Sequence, residues 1–208
     1  PEAGRPPVGA YVVSADVSEG EVDTFTQETD FHAVTVWDHR SRMQVAQYES
    51  RIDRHLLPLW LLLIALYYNR ALLAVEMNSV GMTINDPLKN DFKYNRLYRR
   101  RRYDAARDVV EQRFGWKTDP QTKPMIEDAF AAALQSDTRG GLRSVRAAHQ
   151  LTTYVRNDKG KRGAMAGEHD DLLMSAMIAQ RVMEEYRPRE ERRRGGSKFE
   201  PLDDLTGY

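Results

Sequence analysis

The chain opens with short apolar runs set between polar turns. In "GAYVVSADVSEGE", Tyr11 to Val13 is β-branched and aromatic and alternates into Asp16 before a Ser, Gly and acid-rich loop. That pattern predicts a strand with Asp16 at its C-terminal end. "DFHAVTVWDHRSRMQVAQYES" predicts two more strands, Phe31 to Trp37 and Met43 to Tyr48, joined by the polar turn "DHRSR" at hairpin spacing. Next come a helix over about Leu56 to Asn69, with Asp53 placed to cap it and Pro58 in its first turn, and then "ALLAVEMNSVG". The latter is a short continuous apolar run, as expected of a strand buried on both faces, and it ends in Glu76. A helix leading into such a strand is a crossover, so this strand is expected to lie parallel to the first.

Beyond Gly81 the pattern predicts a short helix, "MTINDPLKN", broken by Pro87, and then a strand in "YNRLYRRRRYD". "VVEQRFGWKTD" reads as its hairpin partner, although "DAARDVVEQ" also fits a helical turn. Helices are expected over Asp119 to Leu134 and Gly141 to Val155, with Gly140 and Gly141 punctuating between them. "RNDKGKRGAMAG" reads as a basic loop. In the last helix Leu172, Ala176, Ala179, Met183 and Tyr186 form one apolar stripe that packs on the sheet.

Composition narrows what this scaffold can do. At 208 residues and 41% hydrophobic residues, the chain is long enough for one sizeable core. It has no cysteine, so a metal site would need oxygen or histidine ligands. The longest apolar run, Leu56 to Tyr68, has 13 residues and is too short to span a bilayer. The net charge of zero hides opposite poles: Asp16 to Asp30 holds six acids and no base, while Arg139 to Arg162 holds seven bases and one acid.

Acids stand at three predicted element ends: Asp16, Glu76, and Asp170 with Asp171 at the start of the last helix. Functional groups of an open sheet gather at the carboxyl ends of its parallel strands, so Asp16 and Glu76 are expected to be close. Carboxylates crowded without bases raise one another's pKa, and divalent cations relieve that repulsion. Oxygen ligands suit Mg2+ or Mn2+, and a pair of such ions can clamp the attacking and leaving oxygens of a phosphodiester. Each acid also has a plainer reading. Asp170 and Asp171 fit a helix cap and first turn, and Asp16 fits a turn after a strand. Glu76 is harder to account for, since a buried carboxylate needs a partner. His169 beside these acids is read as a helix-start group rather than a ligand.

The blocks "VSADVSEGE", "AVTVWDHRSRMQVAQY", "LLAVEMNSVG", "LYRRRRYD", "FGWKTDPQTKPMI" and "AGEHDDLLMSAMIA", in this order, resemble the C-terminal nuclease domain of the large terminase subunit of tailed bacteriophages. The resemblance covers most of the chain. It implies a ribonuclease H-like α/β fold over residues 1–186: a mixed sheet of three antiparallel strands followed by parallel strands, flanked by helices, with an added β-hairpin. Residues 187–208, with few apolar residues and many charges, read separately as a flexible tail. The resemblance also implies that Asp16, Glu76 and Asp170 ligate one or two Mg2+ or Mn2+ ions, with Asp171 an additional or alternative ligand.

The implied activity is metal-dependent endonucleolytic cutting of double-stranded viral DNA concatemers at the initiation and termination of packaging. The setting would be the cytoplasm of the infected bacterium. Implied partners are DNA, a packaging ATPase domain N-terminal to this one, the portal and the small terminase subunit, with no membrane; the isolated domain is expected to be monomeric. Contacts to such DNA should be mostly to phosphates. Candidates are Arg99 to Arg102, Arg139, Arg143, Arg146, Lys159, Lys161 and Arg162, foremost Lys159, Lys161, Arg162, Arg143 and Arg101, each of which also reads as a solvated surface charge. No G-x-x-x-x-G-K-[ST] loop is present, so no ATPase activity is expected of this chain, and the Pro1 start agrees with an excised domain. A ribonuclease or junction resolvase of the same fold, and a non-catalytic DNA-binding or assembly module, are the alternative readings.

Overall fold

The computed structural model describes residues 8–18, 31–77, 79–104, 108–136, 141–156 and 160–188. β1 (Tyr11–Asp16), β2 (His32–Asp38) and β3 (Met43–Ser50) form the expected antiparallel meander. α1 (Leu57–Tyr67) crosses over to β4 (Leu72–Val75), which pairs parallel to β1. The sheet order is β3-β2-β1-β4. The alternation of side chains along β1 splits the core in two. Val13 and Ala15 pack with α1 and α2 (Ser79–Asn90) on one face, whereas Val12 lies with Ile126, Phe130 and the last helix on the other. That other layer contains α3 (Thr122–Gln135), α4 (Val145–Thr152) and α5 (Asp171–Glu185).

A fifth strand position beside β4 is filled by two separate pieces of chain. Leu73 N–H donates to Arg96 O at 2.9 Å and Tyr98 N–H donates to Leu73 O at 2.8 Å. The chain then leaves the sheet as the hairpin β5 (Arg99–Asp104) and β6 (Val109–Phe114), and returns where Trp116 N–H donates to Val75 O at 2.9 Å. The segment after Asp104 is therefore followed by a returning strand, not a helical turn. Gly115 makes the re-entry possible. Its φ is +76°, and a Cβ there would sit 2.6 Å from the Val75 carbonyl oxygen.

Several local expectations need correcting. Asp53 does not cap α1: its side chain accepts from His55 N at 2.7 Å in a turn before the helix, and the N-cap, Leu56, has no side-chain bond. Pro87 does not break α2, which runs from Ser79 to Asn90. The proline lies near the end of the helix, and the burial of Ile84 and Leu88 on either side outweighs one missing backbone bond. The helix expected over Gly141 to Val155 is shorter, because Ser144 caps it by accepting from Ala147 N at 2.9 Å and the β-branched, aromatic run after Thr152 turns into a strand. Within the basic loop, Arg162–Ala164 forms a strand, β8, that pairs with β7 (Tyr154–Arg156), and residues 157–159 lie outside the described residues. α5 is more than a stripe: every residue from Leu172 to Gln180 is buried, since α3 and α4 cover the side turned away from the sheet.

No helix among the described residues is long and apolar enough to cross a membrane. α1 carries no charge and buries Leu57, Leu61 and Ala65, yet Trp60, Leu63 and Tyr67 stay exposed on its outer side.

Candidate active site

Parallel pairing matches Ala15 with Val75, and Glu76 N–H donates to Ala15 O at 2.8 Å. Asp16 and Glu76 therefore end adjacent strands side by side, close enough for their carboxyls to share a hydrogen bond. Burial pushes the Asp16 carboxyl well above the ordinary carboxylate range. The negative charge of Glu76, the hydrogen bond with it, and the charges of Asp171 and Asp170 push it further the same way. All four sequence-predicted acids thus act on one spot at the carboxyl end of β1.

Asp170 occupies the N-cap position of α5, but its side chain caps nothing in that helix. Its Oδ2 accepts from Ala164 N in β8, at 3.2 Å, so the second hairpin orients this carboxylate. The plain capping reading of Asp170 fails on that geometry. Asp171 Oδ2 lies 3.7 Å from His169 Nδ1, and the His169 ring meets Phe31 edge-on with centroids 6.2 Å apart. His169 is thus a neighbour of the acids at the helix start. His32, buried beside β1, uses both ring nitrogens: Nδ1 accepts from Ser18 N at 3.2 Å, so Nε2 carries the hydrogen and donates to Ile52 O at 3.1 Å. Its burial lowers its pKa, and the neutral ring pins the chain just past Asp16.

Among the described residues no group of three or more His, Cys, Asp or Glu side chains is arranged to hold a metal ion. The four acids share an electrostatic environment, but Asp170 and Asp171 are engaged with Ala164 and His169. The donor set itself suits a hard divalent cation: it consists of carboxylate oxygens, and their mutual repulsion is what such a cation would relieve.

The predicted DNA contacts separate into distinct groups. Arg162 Nη1 pairs with buried Glu127 at 2.8 Å, and its backbone carbonyl accepts from Lys123 Nζ at 2.9 Å. With Asp119, Arg156 and Lys161 these residues line a cleft of about 530 Å³ next to the hairpin that holds Asp170. Arg146 pairs with Glu49 at 2.7 Å. Arg143 is exposed near α4, and Arg101 is exposed on β5, remote in sequence from that cleft. Lys159 and Arg139 lie outside the described residues.

Two residues that sequence reasoning passed over matter here. Glu127 Oε1 accepts from Tyr154 O–H at 2.6 Å while Oε2 takes Arg162, so a single carboxylate ties both strands of the second hairpin to α3. Tyr154 is held protonated, its pKa raised by burial and then by Glu127 and Asp170. Nothing in the pattern of "PMIEDAF" distinguishes Glu127 from an ordinary helix-surface acid.

Three antiparallel strands, a crossover to a parallel fourth, and acids at the ends of β1 and β4 and the start of α5 define a ribonuclease H-like α/β fold. Solved structures place this chain's fold more narrowly. It matches the large terminase nuclease from thermophilic phage G20c with a TM-score of 0.57 and 16% identity, covering 84% of this chain and 82% of that one. The same nuclease with bound magnesium matches at TM-score 0.60 and 15% identity over 84% and 82%. Its cobalt-bound form matches at 0.58 and 15% over 82% and 79%. No family model and no curated protein matches the sequence.

Proposed function

We propose that the chain is a divalent-metal-dependent endonuclease that cuts double-stranded viral DNA during packaging, at its initiation and its termination. The observation that carries this reading is the convergence of Asp16, Glu76, Asp170 and Asp171 on one electrostatic site, in a fold shared with a terminase nuclease that binds magnesium. Asp16, Glu76 and Asp170 would hold Mg2+ or Mn2+, with Asp171 as a further ligand. Bound there, the metal would activate water and offset charge on the leaving 3′ oxygen.

The chain's own residues supply placement. β1 and β4 fix two carboxylates side by side, Ala164 N–H turns Asp170, and the cleft lined by Lys123, Arg156, Lys161 and Arg162 offers cations to backbone phosphates. Arg162, paired with Glu127, also holds the hairpin in place, and Lys161 and Arg156 line the same cleft as candidates for phosphate contact.

Plasmid DNA incubated with the protein and Mn2+ or Mg2+ tests the proposal. Cutting that EDTA stops, and that Asp16→Asn and Asp170→Asn each abolish, is the expected result. Cutting unchanged in those variants overturns the site, and preferential cutting of an RNA–DNA hybrid or a four-way junction overturns the substrate.

A further inference from the structure

Four fully buried groups join β2, α5 and β1 by hydrogen bonds: Trp37, Thr35, Ser175 and the carbonyl of Ser14. Trp37 Nε1–H donates to Thr35 Oγ1 at 3.0 Å. Ser175 Oγ donates to Ser14 O at 2.9 Å. Thr35 Oγ1 and Ser175 Oγ are 2.9 Å apart. Indole N–H only donates and a carbonyl only accepts, so the direction of the middle bond follows: the serine hydrogen is already spent on Ser14, and Thr35 O–H must donate to Ser175. The result is a one-way relay in which every hydrogen has a single place to go.

We infer that Ser175 is a positioning residue that, through this relay, sets where Asp170 and Asp171 stand relative to Asp16; the inference rests on the metal-site reading above. Ser14 and Asp16 lie two residues apart on the same face of β1, and Ser175 lies one helical turn after Asp171. The rest of that stretch of α5, "LLM" before and "AMIA" after the serine, is apolar. Apolar burial has no preferred direction of its own, whereas a hydrogen bond fixes distance and direction. A ligand set must hold its distances to within about 0.2 Å, and that tolerance is what the relay can supply.

The test titrates Mn2+ into the metal-free full chain, without DNA, and follows the melting temperature. Ser175→Ala and Thr35→Val, which break the relay at different points, are expected to need about 10-fold more Mn2+ for the same shift. Thr35→Ser, which keeps the hydroxyl, is expected to restore the wild-type response. Leu61→Ala, a fully buried position in α1 on the opposite face, supplies the control for simple destabilisation: a lower melting point without metal and an unchanged Mn2+ requirement. A wild-type Mn2+ requirement in Ser175→Ala, or in Thr35→Val should the serine variant fail to fold, overturns the inference alone. An equal change in Leu61→Ala overturns it as well. A wild-type chain with no Mn2+-dependent shift would instead overturn the metal-site reading and this inference with it.

Discussion

Replacing Glu127 by alanine removes a carboxylate that ties both strands of the second hairpin to α3. Two bonds are lost: one from Tyr154 O–H at 2.6 Å and one from Arg162 at 2.8 Å. A hydrogen bond to a charged acceptor contributes about 1.5–3 kcal/mol. The Arg162 side chain is 40% exposed, so screening holds the second interaction to about 0–1 kcal/mol. The hairpin should therefore open more easily by about 1.5–4 kcal/mol, which is roughly 10- to 700-fold in an opening constant. Because, among the described residues, β7 and β8 form a two-stranded sheet of their own, this cost falls on local opening rather than on global unfolding. Hydrogen exchange at the amides of residues 154–156 and 162–164 measures it, with β1 amides as the internal reference. Ala164 N–H holds Asp170, so DNA cutting should fall with hairpin protection. Glu127→Gln, which keeps an acceptor for Tyr154, should recover part of both. Exchange unchanged in the hairpin, or accelerated equally in β1, refutes the reasoning.

Asp16→Asn should raise the thermal stability of the metal-free protein while abolishing cutting. The folded-state pKa of Asp16 is raised, so its stabilising share is complete below the unfolded value of about 3.9 and is lost as pH rises through the folded value. The advantage of the variant over wild type should therefore grow with pH above about 4 and shrink when Mn2+ is added to wild type; parallel melting curves across that range would exclude it. Gly115→Ala should cost at least about 2 kcal/mol, from the left-handed φ and the approach to the Val75 carbonyl, and lower the melting temperature by about 4 °C or more. A denaturation midpoint equal to wild type would show that the re-entry does not need glycine.

What could be read along the chain and what could not divide by range of interaction. β1 to β4 were legible because alternation and continuous apolar runs report directly on how many faces a strand buries. Asp16 and Glu76 were legible as a pair because strand ends and a crossover together dictate neighbours. Whether Asp170 caps its helix was not, since the deciding contact is with Ala164 in another element. The persistence of α2 through Pro87 depends on buried neighbours that pattern alone does not weigh. Glu127 and Ser175 stayed hidden for the same reason: their partners, Tyr154 and Arg162 in one case and Thr35 and Ser14 in the other, are distant in the chain.

The divided strand beside β4 has a practical side. Arg96 to Tyr98 and Gly115 to Trp116 each hold the sheet edge through bonds of their own, so the register at Glu76 does not depend on how long the excursion between them is. The stretch of chain joining β5 to β6 is therefore where an insertion or a label is expected to leave the carboxylates in place. Because the chain has no cysteine, a single one introduced there would take a thiol-reactive dye without competition, giving a spectroscopic probe of whether added DNA comes near β5 and β6.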